Sequence, residues 1–187
     1  PVELPVTCRN SRLLHSGRVR QTLLPAIDRV LGRATADTEQ LSQLVVVRIV
    51  DDLVEISIDS SGELLHRRGY RQHVTAAPLR ETLAAGILLH LGWDGSLPLY
   101  DPMCGSGSFL TEGALIAKNR APGLSRQFAF MSWPGWRPGL WRQMTEEARR
   151  GEVDGSVAIS GSDRESSAVD ASLVNAQRAG VGAELQI

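Results

Sequence analysis

The fold is decided by residues 97–108, LPLYDPMCGSGS, where a short apolar run leads through an acidic residue into a glycine-rich turn. The apolar run predicts a strand that ends at Asp101, and a helix of about 12 residues is predicted from Ser108 onward. A strand, a glycine turn and a helix in this order are typical of a ligand site in a doubly wound sheet. Gly105 and Gly107 let the backbone approach a ligand closely, and the N–H groups at the helix start suit a carboxylate or a phosphate.

A second acidic residue supports the ligand interpretation, because a glycine turn alone also fits a purely structural tight turn. A predicted strand at 156–160 leads into Asp163, and an acid at this place accepts hydrogen bonds from both ribose hydroxyls in dinucleotide folds. Asp101 and Asp163 are 62 residues apart, whereas a dinucleotide fingerprint has about 20, so an insertion must separate the two strands. The spacing of Ser162 and Glu165 also fits a capping box that begins the next helix.

The second part of the chain alternates strands with helices, which predicts a parallel sheet with right-handed crossovers. The insertion contains an excursion at 119–138 that is rich in Arg, Trp and Pro. The predicted helices are 79–91, 108–119, 140–150 and 164–179, and the predicted strands are 97–100, 156–160 and 183–187.

Residues 1–70 are predicted to form a small α+β module. Apolar residues recur with helical spacing at 15–31. Runs typical of strands follow at 44–50, 53–59 and 63–67, with turn residues between them, so residues 44–68 are interpreted as an antiparallel meander.

Composition places the chain among ordinary globular proteins. Of its 187 residues 42% are hydrophobic and 22% charged, and no apolar run approaches the roughly 20 residues of a transmembrane helix. The net charge of -1 does not indicate a nucleic-acid binder, but residues 118–150 hold seven basic and two acidic side chains. Two cysteines without metal-ligand spacing predict no disulfide framework, no metal site and a cytoplasmic location. Because the chain begins at Pro1 rather than Met, we expect a fragment of a longer protein.

Several blocks, in order along the chain, resemble one protein family. They are LHRRGYR at 65–71, APLRETLAA at 77–85, GW at 92–93, DPMCGSG at 101–107, APGL at 121–124, Phe130, Trp133, GSD at 161–163, NA at 175–176 and AGV at 179–181. These blocks resemble the bacterial THUMP-associated RNA methyltransferases. The resemblance is closest to the 23S ribosomal RNA guanine-N2 enzymes, which are often labelled N6-adenine-specific DNA methylases.

The resemblance implies a fold and a division of the chain. Residues 71–187 would be the first half of a Rossmann-like class I methyltransferase domain, an α/β fold with a doubly wound parallel sheet. Residues 1–70 would be the end of a THUMP-like RNA-binding module, so the implied partner is RNA, most specifically ribosomal RNA.

The cofactor implied by the resemblance is S-adenosylmethionine. The N–H groups of the loop at 101–107 suit the cofactor's carboxylate, and Asp101 can orient its ammonium group directly or through water. Ser108 stands where the family commonly has Thr, which keeps the hydroxyl. The residues assigned to the methionine end are Asp101, Pro102, Met103, Cys104, Gly105, Ser106 and Gly107, with Asp163 on the ribose hydroxyls and Arg164 beside the adenine.

The family's catalytic tetrapeptide, Asn/Asp-Pro-Pro-Tyr at the end of the fourth strand, is absent from this sequence. Methyl transfer from a sulfonium to an exocyclic amine depends mainly on in-line positioning and on a site that receives the amine. We therefore assign no catalytic residue in this chain and expect it not to methylate by itself. Cys104 has no paired base, so it is interpreted as a small packing residue.

A cationic cluster is the candidate RNA contact. Arg67, Arg68, Tyr70 and Arg71 combine guanidinium groups with one aromatic ring, which suits RNA phosphates and bases. The alternative is a solvated strand end whose Tyr70 packs between the two modules. The tryptophans at 133, 136 and 141 likewise fit either an RNA cleft or simple packing of the insertion, and Glu112 is interpreted as a helix-face residue.

Two other functions stay open. The first is methylation of adenine N6 in DNA, because amino-methylating DNA enzymes share the tetrapeptide. The second is a non-catalytic module that binds RNA or the cofactor.

Overall fold

The computed structural model describes residues 2–31, 42–72, 78–154 and 157–187. The chain divides into two compact units. Unit 1 comprises Pro1–Glu63 and Gln127–Trp136, and unit 2 comprises Leu64–Arg126 and Arg137–Ile187. Residues 64–70, which the sequence analysis assigned to the first module, are thus part of unit 2 here, and the middle of the insertion is part of unit 1.

In its described residues, unit 1 contains a four-stranded sheet, one α-helix and a 3-10 helix at Ala129–Ser132. Its elements are β1 (Val2–Glu3), β2 (Val6–Arg9), α1 (Ser16–Leu31), β3 (Gln43–Val50) and β4 (Leu53–Ile58). The central strand β3 pairs in parallel with β1 and β2 and antiparallel with β4. Alternate residues of β3 are buried against the apolar face of α1, which is the half-buried pattern that strand periodicity predicts.

The predicted hairpin of β3 and β4 is confirmed, but the third strand predicted at 63–67 is wrong. The backbone of this stretch turns back on itself instead of pairing with a neighbour. The N–H of Arg67 donates to the carbonyl of Leu64 at 2.9 Å, and the N–H of Arg68 donates to that of His66 at 3.0 Å. These local bonds satisfy the backbone groups that a strand ladder would have used.

The aromatic part of the insertion packs within unit 1. Trp133 Nε1 donates to Gln43 Oε1 at 2.5 Å, and the N–H of Phe130 donates to the carbonyl of Ser60 at 3.2 Å. The ring of Phe130 also lies 5.6 Å from that of Trp136. The packing interpretation of Trp133 and Trp136 is therefore the one that the structure favours.

Unit 2 alternates helices with a parallel sheet. Its elements are α2 (Glu81–His90), β5 (Leu99–Asp101), α3 (Ser108–Ala117), α4 (Pro138–Arg150), β6 (Ile159–Gly161), α5 (Ser166–Arg178) and β7 (Leu185–Gln186). The strands lie in the order β5, β6, β7, all parallel. This confirms the predicted α/β organisation, although the strands are shorter than predicted over the described residues. Residue 156, in the predicted strand 156–160, lies outside the described residues.

The core of unit 2 lies between its helices and its sheet. It contains Leu110 and Ala114 of α3, Ile159 of β6 and Ala176 of α5, all nearly inaccessible to solvent. Helix α3 is therefore buried along much of its length. Among the described residues, no helix is long and apolar enough to cross a membrane.

Candidate cofactor site

The loops after β5 and β6 meet at one edge of the sheet of unit 2. Asp101, the last residue of β5, is in register with Gly161, the last residue of β6. Because the two strands are parallel, their loops leave the sheet side by side. Four hydrogen bonds join them: Ser162 N–H to Asp101 O at 2.9 Å, Ser162 Oγ to Pro102 O at 3.4 Å, Cys104 N–H to Ser162 O at 3.0 Å, and Gly105 N–H to Asp163 Oδ2 at 2.9 Å. The structure thus brings together the two motifs that the sequence analysis singled out.

Asp163 is held as an ionised hydrogen-bond acceptor. Its Oδ1 accepts the N–H of Glu165 at 3.0 Å, while its Oδ2 accepts that of Gly105. These bonds to the backbone of Glu165 and Gly105 lower the pKa of Asp163 below its ordinary value. A carboxylate offers about four lone-pair sites, so two backbone bonds leave capacity for further donors such as hydroxyl groups.

The capping box predicted for Ser162 and Glu165 is wrong. Helix α5 begins only at Ser166, and no side chain of its N-cap residue, Glu165, makes a capping hydrogen bond. The Ser162 hydroxyl instead lies 3.1 Å from the Tyr100 hydroxyl. The carboxylate of Asp163 forms the local turn that precedes the helix, because an aspartate side chain readily binds the N–H two residues on.

The glycine turn has both a conformational and a packing reason. Gly105 and Gly107 have φ of 53° and 77°, in the left-handed region that glycine adopts without strain. A Cβ on Gly107 would lie 2.0 Å from Ser172 Oγ of α5. The backbone of the turn therefore lies directly against α5, a reason for glycine that the sequence analysis did not foresee.

Helix α3 begins immediately after the turn. The N–H of Thr111 donates to the carbonyl of Gly107 at 2.9 Å, and this is the first bond of the helical ladder. The N–H groups of residues 108–110 precede it and have no carbonyl within the helix to bind. Together with the helix dipole they form a place where a carboxylate is stabilised.

The other predicted cofactor residues have different environments. Asp101 Oδ1 accepts the N–H of Met103 at 3.1 Å, and Pro102 and Met103 are exposed, Met103 to 82%. Ser106 is buried, and its carbonyl accepts Asn175 Nδ2 at 3.1 Å. Arg164 is exposed and pairs at the surface with Glu165 at 3.2 Å.

Cys104 has the character of a packing residue. It is buried, and burial, followed by the nearby carboxylates of Asp101 and Asp163, raises the pKa of its thiol. Because the thiolate is the reactive form, this environment disfavours a nucleophilic role.

Three of the four predicted RNA contacts have side chains that are largely buried within unit 2. Arg68 Nη1 is 2.8 Å from Glu112 Oε2, Tyr70 OH donates to Glu112 Oε1 at 2.7 Å, and Arg71 Nη2 is 3.2 Å from a carboxylate oxygen of Glu81. The side chains of Arg68 and Arg71 are 11% and 10% exposed. Guanidinium groups in such pairs are not presented to a phosphate, so this geometry favours a structural role for the three residues. Arg67 is exposed.

Glu112 is the residue whose position the sequence analysis missed. It is fully buried rather than on an open helix face, and burial raises the pKa of its carboxyl, while the charge of Arg68 opposes that rise. Burial and the neighbouring Glu112 likewise raise the pKa of Tyr70. A signal was present in the sequence: Glu112 is the one charged residue in the otherwise uncharged segment SFLTEGALIA of α3.

Comparison with known proteins identifies relatives of this chain. A family model described as RMKL-like, methyltransferase domain, matches residues 68–187, which is more than half of the chain. The chain belongs to this family. Membership in the RMKL-like family confirms, at the level of the family, the prediction of a methyltransferase that uses S-adenosylmethionine.

Two relatives of this RMKL-like chain carry names that describe an activity. The protein slr0064 of Synechocystis, named as an RNA methyltransferase, is 38% identical over 98% of this chain and 50% of its own length. The ribosomal RNA large subunit methyltransferase K/L of Marinomonas is 42% identical over 80% of this chain and 22% of its own length.

Two solved structures have the same fold as the RMKL-like chain. One is SMU.472, a methyltransferase complexed with SAH, at 29% identity and a TM-score of 0.81 over 99% of this chain and 51% of that one. The other is a predicted N6-adenine-specific DNA methylase from Listeria monocytogenes, at 31% identity and a TM-score of 0.83 with the same coverage. The chain thus spans about half the length of slr0064 and of the two solved structures, and 22% of the length of the Marinomonas protein.

Within residues 2–31, 42–72, 78–154 and 157–187, no group of three His, Cys, Asp or Glu side chains is placed to hold a metal ion.

Proposed function

We propose that this chain holds S-adenosylmethionine between the loop at 101–107 and Asp163, as part of an enzyme that methylates RNA. The observation that carries the proposal is the 2.9 Å hydrogen bond from the N–H of Gly105 to the carboxylate of Asp163. It fixes the glycine turn and the acidic residue within reach of one small molecule. When bound, S-adenosylmethionine supplies an electrophilic methyl group on its sulfonium.

Each part of the site has a role that matches its chemistry. The N–H groups at the start of α3 bind the carboxylate of the methionine end, and the carboxylate of Asp101 orients its ammonium group. Asp163 accepts the ribose hydroxyls, for which its ionised state and spare lone pairs are suited. Arg164, exposed beside Asp163, borders the adenine.

The proposed substrate is RNA, and specifically the exocyclic N2 of guanine in large-subunit ribosomal RNA. Two observations support it: the resemblance of the sequence blocks to guanine-N2 enzymes, and the names of the Synechocystis and Marinomonas relatives. In this proposal unit 1 is part of a THUMP-like module that binds RNA in the cytoplasm. Arg67, in unit 2, is the exposed member of the cationic cluster and would contact the RNA. The chain contains no Asn/Asp-Pro-Pro-Tyr tetrapeptide, so the proposal assigns none of its residues to the target amine.

A second candidate is methylation of adenine N6 in DNA. It is favoured by the name of the Listeria structure, which shares the fold at 31% identity. Assays of the gene product that contains this chain, with ribosomal RNA and duplex DNA as substrates, separate the two candidates. Methyl incorporation into RNA supports the first, and incorporation into DNA alone overturns it.

The cofactor site is tested by calorimetry with S-adenosylhomocysteine. We expect the wild-type chain to bind and Asp163→Ala to lose measurable binding, because the ribose hydroxyls lose their acceptor. The control is Asp170→Ala, which removes an exposed carboxylate on α5. Equal affinities of wild type and Asp163→Ala would contradict the proposal.

A further inference from the structure

We propose that Arg71 is a positioning residue for the cofactor loop and acts through Ser108. Arg71 Nη2 donates to Ser108 Oγ at 3.0 Å. Ser108 is the first residue of α3 and directly follows Gly107, the last residue of the glycine turn. The inference rests on the proposed cofactor site, and it gives a positioning role to a residue that the sequence alone suggested for RNA contact.

The contacts of Arg71 form a buried cluster. Its guanidinium pairs with Glu81 at 3.2 Å, and the two side chains are 10% and 4% exposed. The same nitrogen donates to the carbonyl of Leu79, which also accepts the hydroxyl of Ser108 at 3.1 Å. A buried ion pair is stable only in a well-defined geometry with further hydrogen bonds. One guanidinium therefore holds α2, the segment before it and the start of α3 in fixed relation.

This cluster bears directly on the N–H groups that are proposed to bind the cofactor's carboxylate. The turn is already held on one side, where Gly107 lies against Ser172 of α5. Arg71 holds the next residue from another direction, so the first turn of α3 has little freedom to rotate. The guanidinium also neutralises the carboxylate of Glu81. Without it, this segment would hold a buried negative charge that has no cation beside it.

The same segment offers a matched comparison. Arg68 makes an ion pair of similar burial with Glu112, with exposures of 11% and 1%. Glu112 lies four residues, about one helical turn, further along α3 than Ser108. Loss of either arginine leaves a buried carboxylate without its cation, but only loss of Arg71 releases the residue next to the glycine turn.

The test measures the affinity of the full chain for S-adenosylhomocysteine by calorimetry, together with thermal unfolding. We expect Arg71→Met and Arg68→Met to lower the melting temperature comparably. Only Arg71→Met should weaken binding, by about tenfold, the loss expected for one hydrogen bond to a charged group. Arg71→Lys, which keeps the charge but not the forked geometry, should recover part of the affinity.

A double-mutant cycle shows whether Arg71 acts through Ser108. Ser108→Ala should weaken binding in the wild-type background but add little in the Arg71→Met background, because the shared interaction is already lost. Equal affinities of Arg71→Met and Arg68→Met, or losses that simply multiply in the cycle, would overturn the inference. If Arg71→Met does not fold, the cycle is run with Arg71→Lys and read in the same way.

The outcomes separate this inference from the proposed function. If the wild type does not bind, or if Asp163→Ala binds as well as the wild type, the cofactor site itself is wrong. If both behave as expected while Arg71→Met keeps wild-type affinity, the site stands and the positioning role fails.

Discussion

Replacing Gly107 by alanine is expected to destabilise unit 2 strongly, for two reasons that can be measured separately. The residue has φ = 77°, a conformation that costs an L side chain about 1–2 kcal/mol. The new Cβ would also lie 2.0 Å from Ser172 Oγ and 2.9 Å from Ser172 Cβ, and overpacking of this kind costs about 1–3 kcal/mol. The combined loss of about 2–5 kcal/mol is a large part of the roughly 5–15 kcal/mol that stabilises a typical domain.

The assay is urea unfolding followed by circular dichroism, with Gly69→Ala as the control. Gly69 has φ = 91° but no atom within 4 Å of an added Cβ, so its alanine variant is expected to lose only the conformational part, about 1–2 kcal/mol. Adding Ser172→Ala to Gly107→Ala removes the shortest contact and should recover part of the packing loss. The reasoning is refuted if Gly107→Ala costs no more than Gly69→Ala, or if the second substitution recovers nothing.

Two further predictions concern the charged groups of unit 2. Glu112→Gln leaves the charge of buried Arg68 without its partner, so it is expected to lower the free energy of unfolding in urea by about 3–5 kcal/mol. Tyr70→Phe removes one hydrogen bond to the same carboxylate and should lower it by about 1.5–3 kcal/mol. Equal losses for the two variants would contradict the pairing of Arg68 with Glu112. Because the pKa of Asp163 in the folded protein lies below its ordinary value, its stabilising contribution is fully present above the ordinary pKa and is lost as the pH falls through the folded pKa. The stability difference between wild type and Asp163→Asn should therefore shrink in acid, and a difference that grows in acid would show that the sign is wrong.

The turn, the helix α3 and the meeting of residues 105 and 163 were predictable from the sequence. Each depends on local pattern or on topology: apolar periodicity, glycine at a helix start, and the rule that parallel strands end at a common edge. The β3–β4 hairpin was predictable for the same reason. The prediction of a strand at 63–67 was wrong because the apolar pattern of these residues does not show whether a partner strand is available.

The roles of Arg68, Tyr70 and Arg71 could not be predicted from local pattern. A cluster of arginines in a sequence predicts a solvent-exposed surface, because cationic side chains are rarely buried unless they are paired with an anion. Their partners, Glu112 and Glu81, are supplied by two separate helices. Nothing in the spacing of a single sequence couples those helices to residues 68–71, so the three-dimensional structure was needed to reveal the pairing.

The placement of Gln127–Trp136 in unit 1 has a consequence for synthesis on the ribosome. Between Glu63 and Gln127 the chain passes through 63 residues of unit 2, which take roughly 3–13 seconds to translate at 5–20 residues per second. During that interval Trp133 has not yet been synthesised, so Gln43 lacks the indole N–H that it accepts in the folded protein. Nascent unit 1 therefore lacks its aromatic segment. Unit 1 can therefore complete its packing only after the residues of β5 and α3 have been translated.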